Sequence, residues 1–323
     1  LILRKKIISG TMPGYITHNI FGREEFKKMK SEDVRSAIRN NRNAFNIGLQ
    51  GPDIFFYFPA SFMINKKNLG SIMHTRRTGE YINKMLEYIN GLDEEKDREI
   101  ALAYFVGFLG HYSLDRTCHP YIYWKTDRMH KTKDYHAKHV TLETDIDYIM
   151  CKKFYKREVS KFPYGELVRL NRNELDVIAG LLSQALNNTF NYIRFNYELA
   201  YAALFNFGVV INQIKDKCGN KTRFIGKTER KLMGFEYFTP LFIRDDYRIK
   251  NDDPLNNNKC EWFNPWKEEI VSDDSFTELM EKASNRYQRL INSLGNPTEF
   301  AKELGNKSFL NGLELDSDYN KSL

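Results

Sequence analysis

The feature that most constrains this chain is an apolar helical stretch that carries polar residues at metal-ligand spacing. His111, Asp115 and His119 are each four residues apart in G-H-Y-S-L-D-R-T-C-H-P. Residues four apart lie on one face of a helix, so each pair can converge on a single ion. The same stripe carries Tyr104 and Phe108, which indicates that it faces a core. A buried acid and imidazole need a partner, and together they are a ligand set for zinc or a similar borderline divalent metal.

A second pair follows in Y-H-A-K-H-V-T-L-E, where His139 and Glu143 are again four residues apart. A single pair of this kind is common on helix surfaces and indicates nothing by itself. Two pairs in one short stretch, the first of them on an apolar helix, favour a metal site over two unrelated surface pairs.

Three further candidate ligands lie upstream. His18 and His74, taken alone, are typical of structural histidines. Asp53 follows a Gly-Pro turn between large apolar residues. That position is typical of a turn or a helix N-cap, but an acid in an apolar setting also needs a partner.

The motifs T-H-N-I-F-G, G-P-D, M-H-T, G-H-Y-S-L-D…H-P and H-V-T-L-E occur in an order that resembles the zinc-dependent phospholipase C family. That family shares its fold with the S1/P1-type nucleases. The resemblance runs from about Met12 to about Leu290 and is closest to the intracellular, single-domain bacterial members. It implies an all-α, phospholipase C / P1 nuclease-like fold, in which a multi-helix bundle encloses a zinc cluster.

The resemblance also implies a set of ligands for two or three zinc ions. The first zinc would be bound by Asp53, His74, His111 and Asp115. The second would be bound by His119, His139 and Glu143. A third would be shared by His18 and a bridging Asp115. Asp53 would in addition orient or deprotonate the attacking water.

The chain departs from the family pattern in two places. Secreted relatives hold the third zinc with an N-terminal tryptophan, whereas this chain begins L-I-L-R-K-K and has no tryptophan near His18. The third ion is therefore left open. The gap between His111 and His119 is shorter than in the secreted enzymes, which leaves His136 as an alternative to His119. His130 is interpreted as an exposed loop residue.

Helical periodicity dominates the rest of the chain. The metal-bearing helices are predicted at about 95–118 and 134–157, and a long pair at about 173–195 and 197–218. The first should end near Cys118, because Pro120 disfavours helix in the residue before it. Ser31 is a predicted N-cap, and Ser275 with Glu278 a predicted capping box. After Pro240, turn residues are interspersed with aromatics, and Trp262 and Trp266 could line a cleft or simply pack.

The predicted organisation is one domain. Residues 1–11 are interpreted as a non-native or disordered leader before a natural start at Met12. Residues 12–300 form the phospholipase C-like helical domain, and residues 301–323 form a polar, frayed C-terminal tail.

Composition limits the class of protein. The net charge is +7, but Arg4, Lys5 and Lys6 supply three of those charges, and we find no helix-long basic stripe, so basicity is a weak argument for nucleic acid or an anionic membrane as partner. The four scattered cysteines are typical of reduced thiols; a ligand role for Cys118, beside His119, is disfavoured. No apolar run resembles a signal peptide or a transmembrane segment, which predicts a cytoplasmic protein.

The leading functional hypothesis is a zinc-dependent phosphodiesterase of phospholipase C type that acts on a phospholipid or another phosphoester. An S1/P1-type nuclease, for which nucleic acid would be the partner, and a phosphomonoesterase are alternatives that would use the same metals. A non-catalytic, zinc-stabilised helical protein is the alternative from a different class. Structural zinc sites are usually closed and often contain cysteine, which favours an enzyme. The sequence predicts neither the head group nor the oligomeric state.

Overall fold

The computed structural model describes residues 14–58, 60, 68–127, 135–234, 236, 239–242 and 244–315. Within these residues the chain is predominantly helical, which confirms the predicted all-α class. The α-helices in chain order are α1 Tyr15–Lys28, α2 Glu32–Asn40, α3 Arg42–Gly48, α4 Leu69–Thr75, α5 Thr78–Asn90, α6 Glu95–Lys125, α7 Tyr135–Met150, α8 Tyr164–Leu167, α9 Arg172–Thr189, α10 Tyr197–Val210, α11 Asn220–Met233, α12 Phe276–Asn292 and α13 Pro297–Leu304. Short 3-10 turns lie at Gly51–Tyr57, Val159–Lys161, Ile211–Ile214 and Thr239–Leu241.

Helix α6 is the centre of the bundle. It is 31 residues long, and most of its side chains from Ile100 onward are buried. It crosses α3 closely, because glycines face backbone at the crossing. A Cβ added to Gly48 would lie 2.1 Å from the Tyr104 carbonyl oxygen, and one added to Gly107 would lie 2.2 Å from the Phe45 carbonyl oxygen. Only glycine permits this approach, which places the 3-10 turn after α3 directly beside α6.

The predicted end of the central helix near Cys118 is wrong, because α6 continues to Lys125 with Pro120 inside it. Proline has no N–H, so the carbonyl of Arg116, four residues earlier, loses its helical donor. That carbonyl faces the C-terminal segment, where a Cβ added to Gly312 would lie 2.6 Å from its oxygen. Packing around the proline outweighs the local preference of the residue before it.

The other predicted helices exist, but they end earlier than expected. Helix α7 ends at Met150 and passes into a π-helical turn at Cys151–Tyr155. Helix α9 ends at Thr189, and Asn196 begins α10 as an N-cap whose side chain accepts from the Leu199 N–H. Apolar periodicity continues through these non-α turns, which is why the sequence pattern overestimates helix length.

The predicted helix starts are confirmed. The Ser31 side chain accepts from the Val34 N–H at the start of α2. At the start of α12, the Glu278 N–H donates to Ser275 Oγ while the Ser275 N–H donates to the Glu278 carboxylate, which is the expected capping box.

The region after Pro240 contains one small antiparallel hairpin, β1 Trp262–Asn264 paired with β2 Lys267–Ser272. Trp262 is buried and its ring lies 5.7 Å from that of Tyr121, so it packs against α6. Trp266 lies in the hairpin turn, with its ring 5.1 Å from that of Tyr123.

The expectation of a frayed C-terminal tail is wrong for residues 301–315. Leu304 and Phe309 are buried, and the Phe309 N–H donates to the carbonyl of His74 at 3.2 Å. The hydroxyl of Tyr112 donates to the Leu304 carbonyl at 3.3 Å. A few apolar residues in this polar segment are enough to dock it on α6. Residues 316–323 lie outside the described residues.

The buried hydrophobic side chains from Tyr15 to Phe309 form one contiguous cluster. No helix in the described part of the chain is both long enough and apolar enough to cross a membrane. The predicted leader and the start at Met12 lie outside the described residues, and the boundary at residue 300 stays a prediction.

Candidate metal centre

The first ligand group consists of Asp53, His74, His111 and Asp115, all of them buried. Two carboxylates face two imidazole nitrogens. Asp115 Oδ2 lies 3.0 Å from His111 Nε2 and 3.5 Å from His74 Nε2. Asp53 Oδ1 lies 3.4 Å from His74 Nε2 and 4.0 Å from His111 Nε2. These four side chains therefore point into one small volume, as the first predicted zinc site requires.

Backbone carbonyls orient the two histidines of this group. The Nδ1 of His74 lies 2.7 Å from the Gly70 carbonyl, and that of His111 lies 3.2 Å from the Leu49 carbonyl. A carbonyl can only accept, so Nδ1 carries the proton and Nε2 presents its lone pair to the carboxylates. Gly51 has φ +50°, and a Cβ there would lie 2.3 Å from the His111 ring. A larger residue would displace the ring, so the glycine of the G-P-D motif is required.

The second ligand group consists of His119, His139 and Glu143. Glu143 Oε1 lies 3.3 Å from His139 Nε2, one turn earlier on α7, and 3.7 Å from His119 Nε2 on α6. The Nδ1 of His119 donates to the carbonyl of Phe309 at 2.8 Å. One ligand atom from each residue lies within 4.8 Å of the others. The His119, His139 and Glu143 set from the sequence is thus brought together.

The two groups meet at Asp115. This carboxylate lies on the shared face of α6, 3.0 Å from His111 Nε2 and 3.8 Å from His119 Nδ1. A cavity of about 30 Å³ touches Asp115, His119 and Glu143 as well as His18, which is enough room for a water-sized species.

His18 joins the centre from α1. Its Nε2 lies 3.2 Å from Asp115 Oδ1, and its ring stacks on that of His111 with centroids 4.4 Å apart. The start of α1 is held by Asp147 on α7, which accepts from the N–H groups of Gly14, Ile16 and Thr17 at 2.8–3.1 Å. Sequence analysis missed this contact. An acid at the first N–H groups of a helix is the expected pairing, but nothing in the sequence links residues so far apart.

Burial and neighbouring charges shift the protonation of these groups. Burial raises the pKa of the Asp53 carboxyl well above its usual range, and the charges of Asp115 and Glu143 add to this. Burial also raises the pKa of Glu143 to about 7. For Asp115 burial acts in the same direction, but His111 and His119 outweigh it and hold the pKa well below its usual range. Burial lowers the pKa of His111 to about 4, so its imidazole is neutral near pH 7.

The donor set fits zinc. Within the described residues, Nε2 of His74 and of His111, Oδ1 of Asp53, Oδ2 of Asp115 and Oε2 of Glu143 are buried and have no hydrogen-bond partner. Buried polar atoms without a partner are costly, and cations bound by the two ligand groups would satisfy these five atoms. Imidazole nitrogen and carboxylate oxygen are ordinary zinc ligands, and the carbonyl on each Nδ1 is the support that such histidines usually have.

The C-terminal segment supplies a wall of the centre that sequence analysis also missed. Besides its carbonyl on His119, Phe309 places its ring 4.8 Å from that of His74 and 5.7 Å from that of His111. The carbonyl of His74 in turn accepts from Ser308 Oγ at 3.2 Å. Three predicted ligands therefore touch one short stretch about 200 residues further along the chain. Phe309 stands in a polar sequence that carries no motif.

The remaining candidates are less involved. Burial raises the pKa of the Cys118 thiol well above its usual range, which disfavours the thiolate form that binds metal. His130 and the side chain of His136 lie outside the described residues, so His136 stays an alternative to His119. Trp266 contacts Tyr123, whose ring lies 4.7 Å from that of His139, which places this tryptophan beside the centre.

The comparisons with known proteins agree with this geometry. The model of the family described as zinc-dependent phospholipase C matches residues 17–196. That span is more than half of the chain and contains His18, Glu143 and all the candidate ligands between them. Neither the curated proteins nor the solved structures contain a match to the chain. The fold, the buried ligand set and the extent of the family match together show that the chain belongs to the zinc-dependent phospholipase C family.

Proposed function

We propose that this protein hydrolyses phosphodiesters, as a phospholipase C that uses two or three zinc ions. The observation that carries the proposal is the position of Asp115, whose Oδ2 faces His111 and His74 while its Oδ1 faces His18. Such a carboxylate would be shared by the first ion and the third. Structural zinc sites do not need such an arrangement, because one closed site suffices.

The eight predicted residues have distinct roles in this proposal. Asp53, His74, His111 and Asp115 bind the first ion, and His119, His139 and Glu143 bind the second. His18 and Asp115 provide the ligands for a third. When bound, clustered zinc ions supply Lewis-acid stabilisation of a phosphoryl group and bring the pKa of water towards neutrality.

The chain's own groups position the reaction. Asp53 is a carboxylate at the edge of the first group, where it can orient the attacking water and accept its proton. The imidazoles of His74 and His111 are each held at Nδ1 by a backbone carbonyl, which directs Nε2 towards the metal. The closely packed walls exclude bulk water, which strengthens electrostatic interactions with a substrate phosphate.

The substrate we propose is a phospholipid cleaved on the glycerol side of the phosphate. The family match supports a phospholipid, and the ligand geometry supports hydrolysis of a phosphoester of any kind. The head group is not part of the proposal.

The test is zinc content by elemental analysis, on one preparation that is also assayed with phosphatidylcholine, a chromogenic phosphodiester and single-stranded DNA. We expect two or three zinc ions per chain and chelator-sensitive turnover of phosphatidylcholine. Preferential cleavage of DNA would replace the lipase by a nuclease. Zinc without turnover of any substrate would contradict an enzymatic function, and one zinc ion or none would contradict the cluster.

A further inference from the structure

Helix α11 exposes apolar side chains that a helix in a globular protein would normally bury. Among the exposed large hydrophobic residues of the described chain, Phe224 and Leu232 have the highest exposures, 76% and 68%. A surface helix usually turns its apolar stripe towards the core. Here the large apolar side chains of Phe224 and Leu232 point into solvent instead.

The orientation of α11 is fixed by contacts on its opposite side. The carboxylate of Glu229 accepts from the N–H of Thr239 at 3.1 Å and from its hydroxyl at 2.6 Å. Gly226 faces the same turn, where an added Cβ would lie 3.2 Å from Thr239 Oγ1. The small and acidic face of the helix is therefore seated on the 3-10 turn Thr239–Leu241, and Phe224 is held outward.

The outward side is strongly basic. Helix α11 contains five basic residues, and its one acid, Glu229, is buried in the contact just described. Lys227, Lys231 and Phe224 are exposed on the same side, with Leu232 next to Lys231. The expectation that no helix carries a basic stripe is thus wrong for α11. Its sequence, N-K-T-R-F-I-G-K-T-E-R-K-L-M, shows the charge but not which side faces out.

A second exposed apolar face, on α10, differs in charge. Phe205 and Val209 are exposed to 57% and 51%. The only charged residue of α10 is Glu198. Within the described residues, α10 itself carries no cation, and Arg169 is the one basic residue lining the cavity beside Phe205 and Val209, whereas the exposed apolar side chains of α11 stand among several cations of their own helix.

We propose that α11 docks the protein on an anionic phospholipid surface. Exposed Phe and Leu side chains next to lysines match the polar boundary of a bilayer, where apolar groups enter the acyl region and cations meet the head-group phosphates. Charge complementarity favours an anionic lipid surface over an apolar protein groove, which α10 would suit equally well.

The docking face is connected to the metal centre through one turn. The carbonyl of Pro240, in the turn on which α11 sits, accepts from the hydroxyl of Thr144 at 3.0 Å. Thr144 follows Glu143 directly on α7. Docking through α11 would thus hold in place the turn Thr239–Leu241, which packs on α7, the helix that carries His139 and Glu143. The benefit to lipid turnover rests on the proposed function, whereas the docking itself does not.

Binding is measured first, without turnover. The zinc-loaded full-length chain is sedimented with vesicles of phosphatidylcholine alone, or of phosphatidylcholine mixed with phosphatidylglycerol. Both lipids carry a phosphonate in place of the glycerol–phosphate ester, so they are not hydrolysed. We expect partition onto the mixed vesicles, reduced about tenfold or more by Phe224→Ser and by Lys227→Glu with Lys231→Glu. The matched control Phe205→Ser, an exposed phenylalanine on α10, should leave partition unchanged.

Any of three results would overturn the proposal. The first is that the unaltered protein does not bind the mixed vesicles, the second that Phe205→Ser and Phe224→Ser reduce binding equally, and the third that the protein binds neutral and mixed vesicles equally well. In parallel, every variant is assayed on a water-soluble phosphodiester, where rates equal to those of the unaltered protein show that the metal centre is intact. Vesicle binding without turnover of any phosphoester would contradict the proposed function while leaving the docking proposal standing.

Discussion

The two ligand groups of the metal centre differ in how their histidines are held. In the first group, His74 and His111 are oriented by the carbonyls of Gly70 and Leu49, which lie at the start of α4 and the end of α3. In the second group, His119 is oriented by a carbonyl at position 309. The carbonyls that orient the first group therefore come from nearby parts of the chain, although Phe309 also packs on His74 and His111. The carbonyl that orients His119 comes from a segment that follows the last helix in the sequence.

The metal ligands and the carbonyl groups that orient them are therefore separate parts of the structure. A change in the C-terminal segment can weaken the second group and leave the carbonyls of the first in place. Asp115 is the residue that the first and the third ion would share, so its loss should affect both of them at once. The predictions below test that distinction, beginning with the largest expected effect.

Replacing the shared carboxylate should have the largest effect, because the first ion and the third both lose a ligand. We expect Asp115→Asn to lose at least one zinc ion and to reduce phosphodiester turnover by about 10³-fold or more. The measurements are elemental analysis and steady-state kinetics. Asp145→Asn is the matched control, since Asp145 is a buried acid on α7 that holds the backbone N–H groups of Lys250 and Asn251, away from both groups. Equal zinc loss in the two variants would contradict a bridging role.

Replacing Asp53 should separate chemistry from metal binding within the first group. We expect Asp53→Asn to reduce turnover by about 10²–10³-fold, because a positioned base is lost. Much of the zinc should remain, since His74, His111 and Asp115 are still present. Zinc content and turnover are measured on the same sample. Retained activity would rule out Asp53 as the base.

Once zinc is removed, the second group should make the free energy of unfolding depend on pH. Burial raises the pKa of Glu143 from 4.5 to about 7, so the folded state keeps a proton that the unfolded state has lost between these values. The free energy of unfolding should therefore fall as pH rises through this window, by up to about 3 kcal/mol. Glu143→Gln cannot ionise and should lack this contribution. Chelated samples are unfolded with urea across the window, and parallel curves for the two proteins would contradict the assignment.

The C-terminal support can be tested with a pair of glycines. Gly312 and Gly234 both have positive φ, +67° and +82°, so alanine strains the backbone at each. Only at position 312 does the new Cβ collide with the Arg116 carbonyl, whereas nothing lies within 4 Å at position 234. We expect Gly312→Ala to weaken one zinc site about tenfold and Gly234→Ala to leave zinc affinity unchanged. Competition with a chromophoric chelator measures this, and equal affinities would contradict the role of the C-terminal segment.

The smallest effect is expected at Cys118, which lies beside His119. Its thiol is buried and its pKa is raised, so it should stay protonated and bind no metal. Cys118→Ser should leave zinc content and turnover unchanged, with at most a small loss of stability. Loss of a zinc ion in this variant would add sulfur to the second group and contradict the ligand set.

The sequence predicts features that depend on nearby residues and misses those that depend on residues far apart in the chain. The candidate ligands on α6 and α7 are predicted from pairs four residues apart, such as His139 and Glu143, whereas Asp53 and the other upstream ligands are predicted only from the family resemblance. The fold class follows from apolar periodicity. The contacts of Phe309 with His119 and of Asp147 with the start of α1 are not predictable, because residues more than 100 positions apart leave no pattern in one sequence. Helix continuation through Pro120 is missed for the same reason, since tertiary contacts decide it.

The most direct test of the zinc cluster is anomalous diffraction at the zinc absorption edge from crystals of the zinc-loaded protein. The account predicts one peak among His74, His111 and Asp115, and a second among His119, His139 and Glu143. A third peak, beside His18, should share Asp115 with the first peak and lie roughly 3.5–4 Å from it. A single peak, or a third peak that does not share Asp115 with the first, would contradict the bridged cluster on which the proposed function rests.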